Sequence, residues 1–196
     1  GSAPHLLKDA ARGRPMAVIG HSEGGLVALE LAAKREEVGR VVLLATPGRR
    51  PAESLRDQLL RLEGPLRAQA LSILAQLEAG GDVAEVPPAL LALFRPSVQP
   101  FLRSLLGLDP TAALRVLGRP VLVAGGGRDI QVGRADFEAL AAEEDVEAVW
   151  IEAMNHVLTT VEGNDAAANL AAYADPHAPL APGLAEAVAR FLRDGQ

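Results

Sequence analysis

Ser22 lies in Gly20-His21-Ser22-Glu23-Gly24, with a glycine two residues away on each side. Four apolar residues, Met16 to Ile19, lead into this stretch, and Gly25 to Lys34 leaves it with helical periodicity. The pattern predicts a buried strand, a sharp turn with serine at its apex, and a helix. In so tight a turn, Cβ atoms at 20 and 24 would collide with the neighbouring chain, so glycine is expected at both. The hydroxyl would sit at the carboxyl end of a strand and the amino end of a helix, where N–H groups and the helix dipole favour developing negative charge. A serine hydroxyl is a poor nucleophile until an imidazole takes its proton. The imidazole in turn needs a carboxylate to fix its tautomer and support its charge.

Four histidines are available: His5, His21, His156 and His177. His5 sits in the opening segment, His21 beside Ser22 is expected to pack or hydrogen-bond locally, and His177 falls in an Asp175-Pro176-His177 loop. His156 follows directly on a strand-like run, Val146 to Ile151. Among the acids, Asp129 lies in the loop after the run Val121 to Ala124. Asp136 would be inside the next helix, and Asp109 and Asp145 read as helix-edge residues, where capping is the ordinary role.

The elements that must position these groups alternate along the chain. A helix end is expected over 4–14. Strands are expected near 16–20, 40–45, 120–124 and 147–151, all apolar without polar alternation, as in a parallel sheet covered on both faces. Helices are expected over about 22–37, closed by Gly39, then over 134–143 and 182–193. Residues 163–182, rich in Ala, Asn, Asp and Pro, read as a loop. Between the second and third strands, residues 49–117 change character, with Leu, Ala, Arg, Glu and Gln broken by Gly and Pro. Short helices near 51–63, 65–79, 87–94, 97–107 and 110–117 fit this pattern, and the piece is too long for an ordinary crossover.

Gly20-x-Ser22-x-Gly24 between strand and helix resembles the nucleophile elbow of the α/β-hydrolase superfamily. Gly126 to Val132, Gly-x-x-Asp-x-x-Val, and the Asn155-His156 pair are similar to that family's acid and base loops. The order serine, acid, histidine is the family's order as well. The resemblance implies an α/β fold, with a core of residues 1–48 and 118–196 and a helical cap over 49–117. It implies a serine hydrolase of esterase or lipase type, with Ser22 as nucleophile, Asp129 as acid, His156 as base and the Glu23 backbone N–H in the oxyanion hole. A small apolar ester is the expected substrate, with no cofactor and no metal. Two other readings stay open: a non-catalytic remnant serving as an interaction module, and the same triad used by a peptidase or thioesterase.

The resemblance covers the second half of the family's sheet. The opening Gly1-Ser2 looks like an expression scar, so residues upstream are expected to have been trimmed. The family's earlier strands, and the loop that supplies its second oxyanion donor, are not represented. The strand at Met16 to Ile19 is therefore expected to be an edge, covered by an identical copy or by an associated N-terminal fragment.

Composition narrows the classes further. With 49 % apolar residues in 196, the chain is globular. At 3 % aromatics, the core must be built from Leu, Ala and Val. The absence of cysteine excludes disulfides and thiolate chemistry, agreeing with a reducing, cytoplasmic setting. A net charge of −6 argues against nucleic acid or an anionic membrane surface as partner. No apolar run is long enough to span a bilayer. Gly125-Gly126-Gly127 lacks the spacing of a dinucleotide loop, and no two histidines fall at metal-ligand spacing.

Overall fold

The structure is a computed structural model that describes residues 16–163, 166–175 and 177–193. The helix end expected over 4–14 and His5 lie outside these. In chain order the elements are β1 (Met16–His21), α1 (Glu23–Lys34), β2 (Val38–Leu44), α2 (Pro51–Leu59), α3 (Gly64–Glu78), α4 (Leu91–Phe94), α5 (Gln99–Leu106), α6 (Pro110–Leu117), β3 (Val121–Gly126), α7 (Arg134–Ala141), β4 (Val146–Ile151), α8 (Ala166–Ala172) and α9 (Leu184–Arg193). Short 3-10 turns at Pro88–Leu90 and Pro96–Val98 precede α4 and α5. The chain divides into two compact units, Gly1–Gly48 with Pro110–Gln196, and Arg49–Asp109.

The first unit holds a four-stranded parallel sheet in the order β1-β2-β3-β4. The unbroken apolar runs of β2 and β3 follow from burial on both faces. Val41, Leu43, Val121 and Val123 pack with Ala28, Leu29 and Ala32 of α1, Leu114 and Leu117 of α6, and Phe137 and Leu140 of α7. Their neighbours Val42, Leu44, Leu122 and Ala124 point the other way, into a layer with Met154, Leu184 and Phe191. Among the described residues β1 is an edge strand, and its Ile19 is 51 % exposed.

Three local differences from the sequence reading have physical causes. First, α1 ends at Lys34, before the expected position 37, and Gly39 lies within β2 instead of closing the helix. Arg35 is extended, with φ −133°, and Arg119 reaches across to donate to the carbonyls of Ala32, Arg35 and Val38, the last two at 2.8 Å. A guanidinium therefore satisfies the carbonyls at the helix end, where a glycine cap was expected. Second, residues 163–182 contain α8. Its run of alanines has the highest helix propensity of any residue, while the Asn, Asp and Pro around it dominate the composition. Third, α6 packs with α1 and the sheet, so the second unit closes at Asp109, short of the expected 117.

The second unit has its own core of Ala52, Leu59, Ala70, Ile73, Leu74, Leu77, Leu90, Phe94, Leu102 and Leu106. At its centre Gln99, 1 % exposed, fills the role of a strand partner. It accepts the Val83 N–H at 2.8 Å and donates to the carbonyls of Val83 at 2.7 Å and Phe94 at 2.8 Å. None of the described helices is long and apolar enough to cross a membrane.

Replacing Gln99 by Leu keeps the volume and strands three buried backbone groups. The expected outcome is a loss of about 3 kcal/mol, read as a lower urea midpoint for the unfolding of this unit.

Candidate active site

The parallel register sets β1, β2, β3 and β4 side by side, so the loops leaving their carboxyl ends are neighbours. Three of the loops carry the residues singled out from the sequence. At the end of β1, Ser22 has φ 54° and ψ −128°, in a region that non-glycine residues seldom enter. Its N–H donates to the Leu44 carbonyl at 2.8 Å, extending the β1–β2 ladder, and its carbonyl accepts the Gly25 N–H at 2.9 Å. Glu23 is the first residue of α1, so its N–H has no acceptor within the helix.

The glycines around Ser22 divide differently from the expectation. A Cβ at Gly20 would stand 2.3 Å from the Gly24 carbonyl oxygen, and one at Gly25 would stand 2.0 Å from Thr46 Oγ1. A Cβ at Gly24 would meet nothing within 4 Å. The close approach is therefore between Gly20 and Gly25, where β1 passes into α1 beside the buried Thr46.

Asp129 and His156 meet. His156 Nδ1 donates to Asp129 Oδ2 at 2.8 Å, with side-chain exposures of 6 % and 0 %. A carboxylate only accepts, so in the neutral ring Nδ1 carries the proton and Nε2 keeps its lone pair. The other carboxylate oxygen, Oδ1, accepts the N–H groups of Gln131 and Val132, each at 2.8 Å. This Asx-type turn restrains the acid within its own loop, independently of the base.

The glycine run before Asp129 is a product of crowding. Cβ atoms at Gly126 and Gly127 would stand 2.1 Å from the Met154 carbonyl oxygen and 2.4 Å from that of Glu152. The acid loop thus lies backbone to backbone on the base loop, and the Arg128 N–H donates to the Met154 carbonyl at 2.9 Å. The base loop is itself a tight turn closed by Asn155. Its N–H donates to the Thr159 carbonyl at 3.0 Å, and its Oδ1 accepts the Thr159 N–H at 3.1 Å.

His21 behaves differently from the local role expected of it. Its Nε2–H donates across 135 positions of sequence to the His156 carbonyl at 2.7 Å, and the two rings are 5.0 Å apart. The serine turn is thereby tied to the base loop. His177 is exposed in its turn, and Asp136 lies within α7. Among the described residues no cluster of His, Cys, Asp and Glu could hold a metal. A cavity of about 380 Å³ opens at the other end of the sheet, beside Val121 and Val146 where β3 and β4 begin. Sequence reading passed over Asn169, a buried amide on α8; a lone polar residue in an alanine-rich run was the available signal.

Residues 3–173 match the alpha/beta hydrolase family. Esterase EstD of Thermotoga maritima is 31 % identical over an alignment of 169 residues that covers 82 % of this chain and 39 % of the relative. The chain thus spans about two fifths of that relative's length. A meta-cleavage product hydrolase from Pseudomonas fluorescens shares the fold, with a TM-score of 0.53 at 17 % identity over 97 % of this chain and 69 % of that one. The esterase domain of a Rhodothermus marinus protein aligns at 22 % identity and a TM-score of 0.47, over 88 % of this chain and 65 % of that one.

Gly20→Ala and Gly25→Ala should each cost more than about 3 kcal/mol. Gly24→Ala should be neutral or stabilising by up to about 1 kcal/mol, since alanine favours the helix. Urea unfolding of the three variants checks the contrast.

Proposed function

The chain belongs to the alpha/beta hydrolase family, and on that footing we propose that it is a serine hydrolase cleaving carboxylic esters with Ser22, His156 and Asp129. The observation that carries this reading is the 2.8 Å bond between His156 Nδ1 and Asp129, buried at the same end of the sheet as the strained serine turn. In this mechanism His156 Nε2 takes the proton from Ser22 as Oγ attacks the ester carbonyl. Asp129 holds the ring in the required tautomer and supports the imidazolium that forms. The tetrahedral oxyanion is met by the Glu23 N–H and the amino end of α1. Collapse expels the alcohol, which receives the proton from His156. Water, activated by the same imidazole, then releases the acid and restores the serine.

Ile130, directly after the acid and 56 % exposed, supports an apolar acyl or alcohol group, as does the Leu- and Ala-rich composition of 49–109. In this reading the helical unit serves as the cap. Covalent labelling reads the nucleophile directly and needs no particular ester, so it is the first readout.

A fluorophosphonate probe should label the protein once, at Ser22, and Ser22→Ala should abolish the label. His156→Ala and Asp129→Asn should lower the rate of labelling by up to about ten-thousandfold, while the loss of their buried hydrogen bond lowers stability by about 1–3 kcal/mol. Labelling that survives Ser22→Ala, or none in the parent chain, overturns the assignment. Where labelling holds, a series of p-nitrophenyl esters of increasing acyl length measures the preference for apolar chains.

A further inference from the structure

The acid and the base arrive on separate loops, and a buried asparagine connects them. Asn155 precedes His156 and is fully buried. Its Oδ1 is occupied by the N–H and the hydroxyl of Thr159, both at 3.1 Å, and its Nδ2–H donates to Asn169 Oδ1 at 3.3 Å. Asn169, on α8 and 4 % exposed, donates its own Nδ2–H to the Arg128 carbonyl at 2.7 Å. Arg128 precedes Asp129. A continuous path therefore runs from the residue before the base to the residue before the acid, through two side-chain amides with complementary donor and acceptor ends.

Satisfying one buried amide with another is the ordinary use of such a pair. Two features exceed that use. Asparagine is a poorer helix former than the alanines around it, and α8 could be anchored by an apolar residue with no polar atom to satisfy. The two ends of the path also land on the two residues adjoining the Asp129–His156 bond. We propose that Asn169 is a positioning residue that holds the acid loop and the base loop in register, so that His156 Nδ1 stays on Asp129. The proposal rests on reading those two residues as the acid and base of the hydrolase, and its first test is independent of activity.

In the whole chain, the His156 Nδ1 proton should give a downfield ¹H NMR signal, assigned by its loss in His156→Gln. Asn169→Ala should broaden it or speed its exchange with water at least tenfold. At neutral pH Asn169→Asp keeps the acceptor for Asn155 but sets a carboxylate oxygen against the Arg128 carbonyl in place of the donor, so it should disturb the signal at least as much as Asn169→Ala. Ala171→Gly weakens the same helix without touching the path and should leave the signal unchanged. Fluorophosphonate labelling should fall about ten- to a hundredfold in both Asn169 variants, the scale of a small misplacement of reacting groups, and should hold in Ala171→Gly.

An unchanged signal in the Asn169 variants overturns the proposal, as does an equal change in Ala171→Gly or the absence of a protected signal in the parent. Parent-like behaviour of Asn169→Asp overturns the arm to the acid loop. If the signal responds but the parent protein does not label, the positioning role stands and the hydrolase reading falls. If labelling is robust and the signal is indifferent to Asn169, the reverse holds.

Discussion

The hydrogen bond between His156 and Asp129 sets the terms for the rest of the structure. Both side chains are withdrawn from water, and a buried carboxylate is tolerated only where its lone pairs are engaged. Asp129 meets that demand with two backbone N–H groups of its own loop and one imidazole from another. The imidazole can come that close because the two loops touch along bare backbone at Gly126 and Gly127. That closeness follows from the pairing of β3 with β4, which sets Gly126 opposite Ile151 and launches both loops from one level. The pairing of β3 with β4 and the glycine run are thus the conditions under which this one short contact forms.

The serine turn obeys a different constraint. A residue at φ 54° costs on the order of 1–3 kcal/mol and persists because the surroundings leave the chain no other course. Here the surroundings are the Leu44 carbonyl, which continues the ladder past the end of β1, and the contact of Gly20 with the start of α1. His21 then extends the restraint beyond the turn by holding the backbone of His156. The nucleophile candidate and the base candidate are thus coupled through the His21 imidazole and the His156 carbonyl, a coupling that does not depend on the hydroxyl itself.

Much of this was legible in the sequence. Apolar runs without alternation indicated a parallel sheet, and strand bounds agreed within two residues, because β-branched clusters flanked by turn residues have few other ways to fold. That Asp129 and His156 could meet was legible because each lies in the loop leaving the carboxyl end of a strand of one sheet. Three of the misread parts share a cause: they depend on partners remote in the chain. Arg119 ends α1, Thr46 rather than the local turn demands glycine at 25, and His21 bonds across 135 positions. α8 was hidden because composition was averaged over a window wider than the helix, and Asn169 acquires meaning only once Arg128 and Asn155 are brought to it.

The helical unit has one further property. Arg50 near its start and Asp109 at its end form an ion pair at 4.0 Å, so the chain enters and leaves it through adjacent points. A segment with its own core and neighbouring ends can be lengthened, shortened or exchanged without lengthening the path between the strands on either side. Such a segment can drift in sequence under one set of selective pressures while the sheet and its loops answer to another. Swapping residues 49–109 between relatives is then a grafting problem with a natural seam, and the seam is marked by two opposite charges.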